Sequence, residues 1–107
     1  MRILLDECVP QPLRQEFLGH DVSTIREMGW VGKKNGELLA LMTIHGFEVF
    51  LTADQNLRYQ QNLHATGVAV IVLVAVSNRI ADLKPLMPSV LAALHLIKPG
   101  EVIEITV

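Results

Sequence analysis

Val68-Ala69-Val70-Ile71-Val72-Leu73-Val74-Ala75-Val76 is the longest unbroken apolar stretch of the chain. A strand with one face in water alternates apolar and polar residues. A run of nine apolar residues predicts instead a strand covered on both faces, the mark of a mostly parallel sheet held between helical layers. The same run is too short to cross a bilayer as a helix. No signal peptide precedes the first apolar run. The expectation is a soluble cytoplasmic protein with no membrane partner.

Working outward, residues 47–52 are β-rich and end at Ala53-Asp54, and a polar helix is expected over about 57–65. Arg2-Ile3-Leu4-Leu5 predicts a buried first strand stopping at Asp6-Glu7, and Asp21-Val22-Ser23-Thr24 a second, short one. Between them Pro12 suits the first turn of a helix that puts Leu13, Phe17 and Leu18 on one face, with Gly19 as its cap. Residues 25–34 suggest a brief helix or turn and then a loop. Asn35 is a good N-cap for a helix through His45, where Leu38, Leu41, Met42 and His45 fall at helical spacing. Helical spacing returns over 83–94, although Pro85 and Pro88 should divide that segment into a turn and a helix. Ile103, Ile105 and Val107 alternate with Glu104 and Thr106 as a final edge strand, parallel or antiparallel. Strands alternating with helices give an α/β class, and residues 1–107 read as one domain.

Composition narrows the function. Nine Lys and Arg against eleven Asp and Glu leave a formal charge of −2, which excludes binding to nucleic acid through bulk positive charge but not through a local basic strip. Half of the residues are apolar and 19% are charged, which excludes disorder. The single Cys8 excludes an intrachain disulfide or a cysteine-based zinc cage, and fits a reducing cytoplasm.

The placing of the acids is more informative than their number. Asp6 and Glu7 follow the first strand directly, and Asp54 follows the third. In an open α/β sheet the carboxyl ends of parallel strands line one edge, and ligands bind in the crevice there. Glu37, in the first turn of the helix before the third strand, is within reach of the same edge. Carboxylates gathered in one cleft repel unless a cation or shared protons compensate. All-oxygen ligation suits Mg²⁺ or Mn²⁺, ions that serve phosphodiester hydrolysis.

The blocks Ile3-Leu4-Leu5-Asp6-Glu7, Gly19-His20-Asp21-Val22, Gly29-Trp30, Asn35-Gly36-Glu37-Leu38-Leu39 and Thr52-Ala53-Asp54-Gln55-Asn56-Leu57 together resemble the short bacterial PIN-like proteins. These are relatives of the toxin ribonucleases of toxin–antitoxin pairs. The resemblance covers nearly the whole chain. It implies a three-layer α/β/α PIN-like fold with a mostly parallel central sheet, and Mg²⁺- or Mn²⁺-dependent cleavage of RNA. It also implies an antitoxin protein as partner. The family's acidic positions fall on Asp6, Glu37 and Asp54, with Glu7 adjacent. Two departures stand out: Asn56 where many relatives carry a further Asp, and Asn35-Gly36 where many carry an acid before the helix Glu. Asn56 still offers a carbonyl oxygen to a metal, but with less negative charge.

The catalytic candidates are therefore Asp6, Glu37 and Asp54, and the metal candidates are these with Glu7 and Asn56. Arg58 and Arg79 are candidate phosphate contacts, and Tyr59 a candidate platform for an unpaired base. A solvated helix face is the plainer account of residues 58–62. The four histidines share no ligand spacing. Trp30 reads as a packing anchor, although Trp30 and the apolar last strand would serve a homodimer as readily as a core. Cys8 has no evident histidine partner for thiol catalysis.

Two other functions compete with metal-dependent RNA cleavage. One is a non-catalytic PIN-like module that binds protein or RNA. The other is a phosphorylatable receiver-type domain, with Ser77 after the fourth strand. Against the receiver stands Lys98-Pro99, which precedes the last strand here instead of following it.

Overall fold

The computed structural model describes residues 1–55 and 66–106. Five strands form one sheet: β1 (Arg2–Leu5), β2 (Asp21–Thr24), β3 (Val49–Thr52), β4 (Ala69–Leu73) and β5 (Val102–Ile105). Their order is β2-β1-β3-β4-β5, and every neighbouring pair is parallel. The last strand is thus parallel to its neighbour, with Val72 opposite Glu104 and Leu73 opposite Ile105. β3 and β4 are buried along their whole length, as strands covered on both faces must be.

Side chains along a strand alternate between the two faces of a sheet, and here they sort into two cores. Ile3, Leu5, Val49, Leu51, Ile71 and Leu73 enter one core, together with Leu13, Phe17, Leu83, Met87 and Val90 from the elements above that face. Leu4, Phe50, Val70 and Val72 enter the other, against Ile25, Trp30, Leu38, Leu39 and Met42. The result is a three-layer α/β/α arrangement. Trp30, 7% exposed, belongs to the second core and meets His45 and Phe47 edge-on, with ring centroids 5.2 and 5.8 Å away.

The covering elements are short. A 3-10 helix, Gln11–Glu16, stands on the first face. α1 (Ile25–Met28) and α2 (Asn35–Ile44) stand on the second. α3 (Ile80–Leu83), a 3-10 turn (Lys84–Leu86) and α4 (Met87–Leu94) return to the first. Pro85 and Pro88 do divide this last segment, each lying within the opening positions of its element, where a missing N–H costs least.

Three sequence expectations are corrected. Leu18 is 87% exposed and not on the buried face with Leu13 and Phe17. The tighter 3-10 geometry ends at Glu16, so no helical turn remains to carry residue 18 inward. Asn35 is the first helical residue, not the cap, which is Lys34 without a side-chain hydrogen bond. The paired part of the apolar run is only Ala69–Leu73; Val74 and Ala75 still pack on the cores, while Val76 is in solvent.

The connections also differ in hand. The β1–β2 and β2–β3 connections move in opposite directions across the sheet and cover opposite faces, so they share one hand. The β4–β5 connection moves in the same direction as β2–β3 but covers the other face. It therefore has the opposite hand to the first two, against the strong preference for a single right-handed sense. The exchange has a packing consequence. α3 and α4 join the short 3-10 helix in covering that face. No helix of the described residues is long and apolar enough to cross a membrane.

Candidate functional site

The strand order reverses at β1: the chain steps to β2 on one side and then passes to β3 on the other. The carboxyl ends of β1 and β3 therefore flank a topological switch point, where loops diverge and leave a crevice. Asp6 follows β1 and Asp54 lies two residues beyond β3.

Backbone pairing continues one residue past β1, since the Asp6 N–H donates to the Leu51 carbonyl at 2.9 Å. This sets Asp6 beside the end of β3. The chain then turns, with the Val9 N–H on the Asp6 carbonyl at 3.0 Å and the Glu7 N–H on Asp6 Oδ1 at 2.8 Å. The other carboxylate oxygen, Oδ2, accepts the Thr52 hydroxyl at 2.7 Å. Thr52 Oγ1 in turn accepts the Asp54 N–H at 3.0 Å. A single hydroxyl, 46 positions from Asp6 in the sequence, thus links the Asp6 carboxylate to the backbone of Asp54. Thr52 is fully buried and is the one buried polar side chain among the described residues.

Cys8 completes the cluster. Its sulfur lies 3.6 Å from Asp6 Oδ2 and 3.7 Å from Thr52 Oγ1, and it accepts the Ala53 N–H at 3.4 Å. Because the Thr52 proton is committed to Asp6, the thiol is the donor to either oxygen. Burial pushes the Cys8 thiol above its ordinary range; the Ala53 N–H opposes this and the Asp6 charge adds to it. Cys8 is consequently a poor nucleophile at neutral pH.

The other candidate residues lie further out. Glu7 is exposed and, with Asp6, lines a cleft of about 210 Å³ shared with Gln11, Thr24 and Arg26. Glu37 is exposed in the first turn of α2 and forms an ion pair with Lys33 at 3.0 Å. Arg79 is exposed before α3, its N–H on the Ser77 hydroxyl, which donates to Asp82 at 2.5 Å. Asn56, Arg58 and Tyr59, and the helix expected over 57–65, lie outside the described residues. Among the described residues no three His, Cys, Asp or Glu side chains converge as a metal-holding set.

The sequence pattern pointed to neither Thr52 nor Arg26, and Cys8 was weighed only as a disulfide partner, zinc ligand or catalytic thiol. Thr52 read as the last residue of a strand, and nothing in its local pattern shows that its hydroxyl crosses to β1. Arg26 had a visible signal, because Thr24-Ile25-Arg26-Glu27 has the spacing of a capping box. That spacing starts a helix at the carboxyl end of β2 and so puts Arg26 at the edge where the acids lie.

A family model described as a PIN-like domain matches residues 1–75, the stretch from β1 through β4. No curated protein and no solved structure matches the chain.

Proposed function

The chain belongs to the PIN-like domain family, and from that premise we propose that it is a divalent-metal-dependent ribonuclease, the toxin of a toxin–antitoxin pair working in the cytoplasm. One observation carries the reading most: the Thr52 hydroxyl ties the Asp6 carboxylate to the Asp54 backbone at the switch point of the sheet. An acid pair that only punctuated two turns would need no buried hydroxyl between them.

The donors suit a hard cation. Mg²⁺ is commonly held by one or two carboxylates, with waters and substrate phosphates completing its shell. Asp6 Oδ1 and Oδ2 accept from Glu7 and Thr52, and a carboxylate keeps further lone pairs for a metal. Asp6 and Asp54 would hold Mg²⁺ or Mn²⁺, with Glu7 beside them and Asn56 and Glu37 as outer contributors. The bound ion would supply an activated water and a counter-charge for the phosphodiester under attack. Thr52 fixes which way the Asp6 carboxylate faces, and the high thiol pKa keeps Cys8 from adding a second negative charge next to it. RNA as substrate and an antitoxin protein as partner rest on the family.

The strand order is also that of receiver domains. Lys98-Pro99, however, comes before β5 and lies beside Met1, Phe47 and Glu48 at the amino edge of the sheet, away from Asp6. The receiver chemistry needs that lysine at the opposite edge, so the nuclease reading is the better supported.

The test is cleavage of single-stranded RNA in Mn²⁺ by the wild type and by Asp6→Asn and Asp54→Asn. Each substitution is expected to lower the rate at least 100-fold, about 2.7 kcal/mol of transition-state stabilisation. Cleavage that survives both would remove these carboxylates from the chemistry. RNA binding with no turnover by the wild type would favour a non-catalytic module.

A further inference from the structure

We infer that the cleft between the carboxyl ends of β1 and β2 seats a backbone phosphate of single-stranded RNA on Arg26, and that the strand leaves it over the first 3-10 helix past Arg14 and Gln15. The inference rests on the reading of this edge as an RNA-cleaving site. It adds a substrate path on the side of β1 away from Asp54.

Arg26 is the one cation among the described residues that lines the cleft holding Asp6 and Glu7. It stands there because the Thr24–Glu27 capping box starts α1 directly after β2: the Glu27 N–H reaches Thr24 Oγ1 at 3.2 Å, and the Thr24 N–H reaches Glu27 Oε1 at 2.8 Å. The neighbouring carboxylate does not neutralise Arg26. Glu27 is taken by Arg14 at 2.5 Å, whereas Arg26 is exposed and has no ion pair among the described residues. Its guanidinium therefore keeps its fork of N–H donors for a ligand, and that fork matches a phosphate.

Shape and charge favour the same occupant. Gln11 lines both this cleft and an adjoining hollow of about 300 Å³ bounded by Gln11, Arg14 and Gln15. The two adjoin at Gln11, and the groove they offer is furnished with amide and guanidinium donors, which suit the oxygens of a sugar-phosphate chain. At its inner end Asp6 and Glu7 outnumber Arg26 by one carboxylate. A phosphodiester anion would be repelled there alone, but with a divalent ion on the carboxylates the balance turns positive. Binding in this groove should accordingly strengthen when a divalent ion is added.

The experiment is fluorescence anisotropy of a short labelled single-stranded RNA with the full chain, in Ca²⁺, titrated over about 50–200 mM salt. Arg26→Gln is expected to weaken binding about tenfold at low salt. It should also lower the slope of log K against log [salt] by about 0.7, the effect of one lost phosphate contact on a single strand. Arg26→Lys should keep the slope, and Lys98→Gln, at the amino edge, should match the wild type. An Arg26→Gln titration superimposable on the wild type, or a wild type that binds no RNA, overturns the inference. The two readings also fail separately. RNA cleavage by the wild type with an unchanged Arg26→Gln slope defeats this groove alone. A changed slope in a protein that cleaves nothing defeats the nuclease reading and leaves the groove standing.

Discussion

At Thr52 one hydroxyl serves three neighbours: it donates to Asp6, accepts from the Asp54 N–H and touches the Cys8 sulfur. Valine has nearly the same shape but no hydroxyl, so Thr52→Val would take a donor from the Asp6 carboxylate and an acceptor from the Asp54 N–H. Losing a pair of hydrogen bonds of this kind, one of them to a charged group, costs about 1–3 kcal/mol. Thr52→Val is expected to lose that much in urea unfolding and to lower RNA cleavage more than tenfold. Thr52→Ser, which keeps the hydroxyl, should recover most of the cleavage at about 1 kcal/mol of stability for the lost methyl. Equal cleavage by the wild type and the valine variant would show that the hydroxyl does not orient Asp6. The two acids are visible in the sequence because each ends an apolar run. The hydroxyl between them is not, because its role depends on the pairing of β1 with β3.

Among the elements, α1 is the most dependent on its ends. Four residues form no stable helix alone, and this one is held by the Thr24–Glu27 capping box, by Gly29 in the left-handed region at φ 75°, and by burial of Ile25. Glu27 also joins α1 to the 3-10 helix through Arg14. The Arg14 guanidinium, and after it the Thr24 N–H, hold the Glu27 carboxyl below its ordinary range. A depressed carboxylate stabilises the fold fully above its unfolded pKa, about 4.3, and loses that contribution as pH falls through the lower folded value. The melting temperature of Glu27→Gln should therefore lie below that of the wild type at neutral pH and converge on it as the pH falls below the folded carboxyl's lowered range. Arg14 and Glu27 are partly exposed, so solvent screening limits the gap to a few degrees. A gap that persists unchanged in acid would assign the effect to packing and not to charge. The prolines of the last helical segment were legible as breaks because their missing N–H acts locally. The end of the first helix was not, since the chain leaves a 3-10 turn sooner than helical spacing implies.

For the whole molecule, the sheet separates two cores that share no buried residue. Ile3→Val in one and Ile25→Val in the other should each cost about 0.5–1.5 kcal/mol. The double variant should equal the sum within about 0.5 kcal/mol in urea unfolding. A larger departure would mean that the sheet transmits strain between its faces. The all-apolar fourth strand announced this two-sided burial. The direction of the last strand did not follow from its alternation, because Glu104 faces solvent at the sheet edge whichever way the strand runs. The reversed hand of the β4–β5 connection lies largely outside the family-matched residues 1–75, where local sequence pattern has nothing to say about which face a helix covers.

Local chemistry was enough to determine that strands alternate with helices, that β4 is covered twice and that acids end β1 and follow β3. Each of these depends on hydrophobic periodicity or on a residue's immediate neighbours. The order of the strands, the hydroxyl bridge from Asp6 to the Asp54 backbone, the ion pairs that occupy Glu37 and Glu27, and the groove left to Arg26 were decided only by the tertiary structure. They depend on distances between groups far apart in the chain, which exist only once the sheet has assembled.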